Sequence, residues 1–62
     1  MYEVYKLQMN YKRAYGCGIH IDDLERAKKM ADAAKASWWG QRGIYKWVKV
    51  KDHETGKYVY EA

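Results

Sequence analysis

In the first segment of the chain, Tyr5, Leu7, Met9 and Tyr11 alternate with Val4, Lys6, Gln8 and Asn10. This period of two predicts a strand with one apolar face. Lys12-Arg13 interrupts the pattern, and Tyr15, Cys17 and Ile19 then alternate with Gly16, Gly18 and His20 in a second, glycine-thinned run. Glycine inside a strand weakens it or marks a bulge or a close backbone approach. A tight connection around Lys12-Arg13-Ala14 would join the two runs as an antiparallel hairpin.

The period then changes. Leu24, Ala27, Ala31, Ala34 and Trp38 recur at spacings of three and four, with Met30 and Ala33 widening the stripe, which is the apolar face of a helix. Asp22 as N-cap with Glu25 reaching back reads as a capping box. Asp22, Asp23 and Glu25 in the first turn and Lys35 near the end agree with the helix dipole. Gly40 offers a left-handed stop, so the helix is expected over residues 22–39. Beyond the loop Gly40-Gln41-Arg42-Gly43, Ile44, Lys46, Val48 and Val50 alternate with Tyr45, Trp47, Lys49 and Lys51. This is a strand rich in β-branched and aromatic types. Asp52-His53-Glu54-Thr55-Gly56 has the Asp start and Gly finish of a hairpin loop built on a type I turn with a bulge, and Lys57-Tyr58-Val59-Tyr60-Glu61 returns as the last strand.

The expected fold is therefore α+β, a four-stranded antiparallel sheet in the order β-β-α-β-β along the chain, with one helix packed on one face of a single domain spanning residues 1–62. One helix covers one face of such a sheet. The covered face is expected to hold Leu7, Met9, Ile19, Val48 and Val50 against Leu24, Ala27, Ala31 and Ala34. Tyr45, Trp47, Lys49 and Lys51 are left for the open face, joined by Tyr58 and Tyr60 or by Lys6. Strand order and register decide which tyrosines join them.

Size and composition narrow the functional classes. A chain of 62 residues buries only about 60% of its unfolded surface, too little to be carved into a deep catalytic cleft. No stretch approaches the roughly 20 apolar residues of a membrane helix, and the start, Met1-Tyr2-Glu3-Val4-Tyr5-Lys6, has neither a basic lead nor a greasy run. A single cysteine cannot form an internal disulfide, so the expectation is a cytoplasmic protein held together by packing or by pairing with a second chain.

Few residues suggest chemistry by spacing. Cys17 and His20 form a Cys-x-x-His pair without the two further ligands that a structural zinc site requires. The expectation is a small buried strand thiol and a solvated histidine, with His53 in a loop and no metal, cofactor or catalytic residue. Helix capping accounts for Asp22, Asp23 and Glu25. Gly16-Cys17-Gly18 lacks the third glycine and the Gly-Lys-Ser/Thr ending of a phosphate loop, and reads as a flexible or bulged strand.

Charge adds a clearer signal. The net charge is +4. Residues 1–20 carry three basic and one acidic residue, residues 21–37 four of each, and residues 38–62 five basic and three acidic. The surplus lies on the sheet and its loops. Arg42, Lys46, Lys49, Lys51 and Lys57, interleaved with Trp38, Trp39, Tyr45, Trp47, Tyr58 and Tyr60, suit an acidic protein surface, with aromatic anchors and a lysine rim. They also suit phosphates between stacked bases of a single-stranded nucleic acid. A half-bare aromatic sheet on so small a domain also favours a homodimer. A small-ligand or enzymatic site would need a pocket at that dimer interface, around His20, Arg42 and Trp39.

The terminal hairpin Asp52-His53-Glu54-Thr55-Gly56-Lys57-Tyr58-Val59-Tyr60-Glu61, following an Asp-Asp-Leu-Glu-Arg-Ala-Lys-Lys helix, resembles in layout small open reading frames carried by bacteriophages and mobile elements. The resemblance implies a stand-alone accessory protein in the host cytoplasm that occludes or redirects a host factor, such as a defence nuclease complex. Blockers of nucleic-acid sites are often acidic, whereas this chain is basic, so a DNA mimic is excluded. The expected function is thus non-enzymatic binding to a host protein or ribonucleoprotein with an acidic surface, centred on Tyr45, Trp47, Lys49 and Lys51 with Arg42, Tyr58 and Tyr60. The alternative is a single-stranded nucleic-acid-binding module using the same face.

Overall fold

The computed structural model describes residues 1–62. The elements run β1 (Tyr2–Gln8), β2 (Tyr15–Gly16), α1 (Leu24–Ala36), α2 (Trp38–Gln41), β3 (Tyr45–Asp52) and β4 (Lys57–Glu61). The strands form one four-stranded antiparallel sheet in the order β2-β1-β3-β4. α1 packs across one face, giving the expected α+β architecture.

The core is the seam between α1 and the two central strands. Val4, Val48 and Val50 from the sheet meet Ala27 and Ala31 of the helix, with Ile21 closing one end. Ala27 and Ala31 have no exposed surface, because alanines on the helix stripe let the two backbones approach closely. Val4 pairs with Val50, and Lys6 with Val48. Directly paired residues share a face, so Val4 and Lys6 lie on the helix side while Glu3, Tyr5 and Leu7 lie on the other. The parity of the first strand is thus opposite to the one its longer apolar residues suggested. Met9, expected in the core, is 51% exposed in the turn after β1, and Ile19 is 55% exposed in the connection to α1. Small β-branched side chains fit beneath an alanine helix where Leu and Met would hold it off.

Each hairpin has a local cause. Asn10 takes a left-handed backbone (φ 69°) in the turn after β1, and β2 is only two residues long. Between β3 and β4, Asp52 Oδ1 accepts from the Glu54 N–H at 2.9 Å, and Gly56 at φ 71° donates to the Asp52 carbonyl at 2.8 Å. A residue with a Cβ would be strained at Gly56.

The helix starts and stops differently from the expectation. Asp23, not Asp22, is the N-cap and accepts from the Glu25 N–H at 3.1 Å. Glu25 therefore falls one position short of the capping-box site. The stop comes at Ser37, whose hydroxyl donates to the Ala34 carbonyl and accepts from the Gly40 N–H, opening the short helix α2. Gly40 serves close approach, since a Cβ there would lie on the carbonyl oxygen of Lys35. The left-handed residue that ends α2 is Gly43.

Candidate functional site

The face of the sheet away from α1 is built from alternate residues of three strands. β1 contributes Glu3, Tyr5 and Leu7, β3 contributes Lys51, Lys49 and Trp47 opposite them, and β4 places Tyr58 beside Lys51 and Glu61 beside Lys49. The rings of Trp47 and Tyr58 pack edge to face at 5.4 Å, and those of Tyr5 and Tyr58 at 6.0 Å. The two lysines lie on this aromatic floor. Lys49 Nζ is 4.5 Å from the centroid of Trp47 and 5.2 Å from that of Tyr58, and Lys51 Nζ is 5.1 Å from Tyr5 and 5.8 Å from Tyr58. Stems laid along rings bury their methylenes while each ammonium stays available at the surface. Glu61 approaches Lys49 at 4.0 Å.

Trp47, Lys49, Lys51 and Tyr58 thus share one face, with Tyr5 as an unexpected member. Tyr45 and Tyr60, assigned to that face from alternation, lie on the helix side, and in both cases a bulge is the reason. Leu7 pairs with Trp47 but Gln8 pairs with Tyr45, so Lys46 is an extra residue and Tyr45 turns toward the core, beneath Lys6 at 5.5 Å. Lys51 pairs with Tyr58 but Val50 pairs with Tyr60, so Val59 is the extra residue and Tyr60 turns under α1. There the Tyr60 hydroxyl donates to Asp32 at 2.7 Å, which raises its pKa, with partial burial adding to the effect. Burial, and after it the neighbouring Tyr15 phenol, likewise raise Tyr45. Arg42 is not with the lysines: its guanidinium stacks on Trp38 at 4.0 Å, beside a half-exposed Trp39.

At the Glu3 end the same face carries a polar cluster that sequence spacing did not reveal. Glu3 is only 6% exposed. Its Oε2 accepts from the Gly18 N–H at 2.8 Å, while its Oε1 lies 2.7 Å from Nε2 of His53 and 3.5 Å from Nε2 of His20. The two imidazoles are stacked at 4.8 Å, 24° from parallel, and the Tyr5 ring stands 6.2 Å from His53. Burial pushes the Glu3 carboxyl up, but the Gly18 and His53 hydrogen bonds and the two imidazole charges outweigh it and hold the pKa below its ordinary value. Burial and the Glu3 charge push the Tyr5 phenol up.

His20 is solvated as expected, with its side chain 53% exposed, but its Nε2 also flanks the buried Glu3 carboxylate. The three residues come from β1, the connection before α1 and the β3–β4 turn, so no local spacing could announce them. The only sequence cue is a lone acid in an otherwise neutral and basic strand. The glycine-thinned run has its explanation here as well, because Gly16 lies directly against the Glu3 carboxylate. On its other flank His20 borders a cleft of about 350 Å³ with Arg26, Asp22 and Asp23, and neither Arg42 nor Trp39 lines it.

No family model matches the chain, and neither a curated protein nor a solved structure matches it. No helix is long and apolar enough to cross a membrane.

Proposed function

We propose that the protein acts without catalysis, by docking the open face of its sheet on an acidic surface of a partner protein. The observation that carries this reading is the pair of lysines, Lys49 and Lys51, laid over the Trp47, Tyr58 and Tyr5 rings. Long side chains already ordered on a ring lose less conformational freedom when they meet a carboxylate, and Trp and Tyr beneath them supply the desolvated anchor. In the accessory role implied by the resemblance to phage proteins, the partner is a host protein or ribonucleoprotein with an exposed acidic patch.

The same geometry argues for a protein surface over single-stranded nucleic acid. Bases stack on free ring faces, whereas here the rings meet edge to face and ammonium groups lie over them. Titration of the protein with poly-glutamate and with a mixed-sequence DNA oligonucleotide, across a salt series, tests the reading. Poly-glutamate is expected to bind at low salt, and binding is expected to vanish in the Lys49→Glu/Lys51→Glu variant. Preferential binding of the oligonucleotide, lost in Trp47→Ala, would transfer the face to nucleic acid. Failure of both ligands at low salt would remove the face from the functional account.

A further inference from the structure

We propose that Glu3, His20 and His53 form a binding site for one divalent transition-metal ion of the zinc type. The proposal does not depend on the docking reading, since it uses none of the lysines.

One ligand atom from each of Glu3, His20 and His53 lies within 4.8 Å of the others, and Oε1 of Glu3 faces Nε2 of both histidines. In a tetrahedral zinc site with bonds of about 2.0–2.1 Å, ligand atoms sit about 3.4 Å apart. The observed separations of 2.7 Å and 3.5 Å from the carboxylate to the two imidazoles bracket that value. Closing the remainder needs shifts on the order of 1 Å. The His20 side chain, 53% exposed, has the freedom to make them.

The carboxylate is prepared as a ligand. Its second oxygen is held by the Gly18 N–H, which fixes the plane of the group and leaves Oε1 for coordination, the outer-shell arrangement typical of metal-binding side chains. Gly16 keeps the space beside it clear, since any Cβ there would collide with the carboxylate. Two stacked imidazoles both turn the same nitrogen toward one oxygen. A carboxylate alone gives a short contact to only one of them, whereas an ion placed between the three atoms uses both nitrogen lone pairs and the negative charge together. Two imidazoles and a carboxylate suit Zn2+ and its neighbours in the first transition row better than Mg2+ or Ca2+, which take oxygen ligands. No fourth side chain is present, so the exposed His20 flank leaves the remaining position to water or to a donor atom from a partner.

The consequence for the fold is a cross-link. The ion would join the start of β1, the connection into α1 and the β3–β4 turn, three segments far apart in the chain. Small domains with thin cores use metals in this way.

The test uses the untagged full chain, stripped with a chelator and titrated with ZnCl2 by calorimetry and with CoCl2 by visible absorption. One equivalent of ion is expected, with cobalt d–d bands of a low-coordinate nitrogen and oxygen site and a melting temperature that rises with zinc concentration. His20→Ala, at an exposed position that leaves the core untouched, is expected to weaken binding by at least about 100-fold, the upper end of what loss of a merely supporting group costs. His53→Ala is expected to do the same. Cys17→Ser is expected to change nothing, with no thiolate-to-cobalt charge-transfer band. Binding unaltered in His20→Ala and His53→Ala, binding lost in Cys17→Ser, or no binding of either ion by the wild-type chain would overturn the proposal.

Discussion

Gly16→Ala tests the Glu3 cluster through its backbone neighbour. A Cβ at position 16 would lie against Oε2 of Glu3, 2.7 Å from its Cδ and 3.1 Å from Cζ of Tyr5. The end of a glutamate ordinarily moves aside at little cost. Here it is buried and held by the Gly18 N–H at 2.8 Å and by His53 at 2.7 Å. Displacing it forfeits one of these bonds, and a hydrogen bond to a charged group contributes about 1.5–3 kcal/mol. Gly16 does not use a left-handed backbone, so alanine returns about 0.4–1 kcal/mol by restricting the unfolded chain. The expected net loss is about 1–2 kcal/mol, and a domain of this size melts about 4–8 °C lower per kcal/mol. Urea unfolding in chelator-treated buffer, followed by tryptophan fluorescence, measures it free of any metal effect. The diagnostic result lies in a second background. In Glu3→Ala only the Tyr5 ring, at 3.1 Å, still borders position 16, so Gly16→Ala should there cost less than in the wild type by the forfeited hydrogen bond. A substitution that destabilises equally in both backgrounds would refute the reasoning.

Three further outcomes follow from the packing and the caps. Val48→Ala removes two carbons from a side chain with no exposed surface and is expected to cost about 2–3 kcal/mol in chemical denaturation, counting transfer and cavity terms; Val59→Ala, on an exposed residue, should stay within about 0.5 kcal/mol. Asp23→Ala deletes the N-cap that accepts from Glu25 and should lower stability by about 1 kcal/mol, whereas Asp22→Ala should not. The bond from Tyr60 to Asp32 raises the phenol in the folded state, so its stabilisation is complete below the unfolded value near 10 and is lost as pH rises through the folded one. Thermal melts between pH 9 and 11.5 should fall more steeply for the wild type than for Tyr60→Phe.

The order of elements was legible because each signal was local. Alternation marked β1 and β3, three-and-four spacing marked α1, and Asp52 with Gly56 marked the last turn. The faces were less legible. Tyr45 with Trp47, and Tyr58 with Tyr60, are each two residues apart, and parity alone puts each pair on one side. Extra residues at Lys46 and Val59 separate both pairs, and a bulge is a property of pairing with a neighbour strand, which the sequence of one strand does not contain. The same holds for Glu3, His20 and His53, whose meeting depends on β1 pairing with β3 across most of the chain.

The two outer strands bear on how copies of this protein can meet. β2 has only two residues, and β4 is interrupted at Val59 and begins with a lysine. Neither margin presents the long, flat row of free amides along which another strand could zip, so sheet extension from molecule to molecule is discouraged at both ends. Crowded solutions of this protein should therefore resist fibril growth, and selection on its solubility would act on the length of β2 and the kink in β4 before it touched the aromatic floor between them.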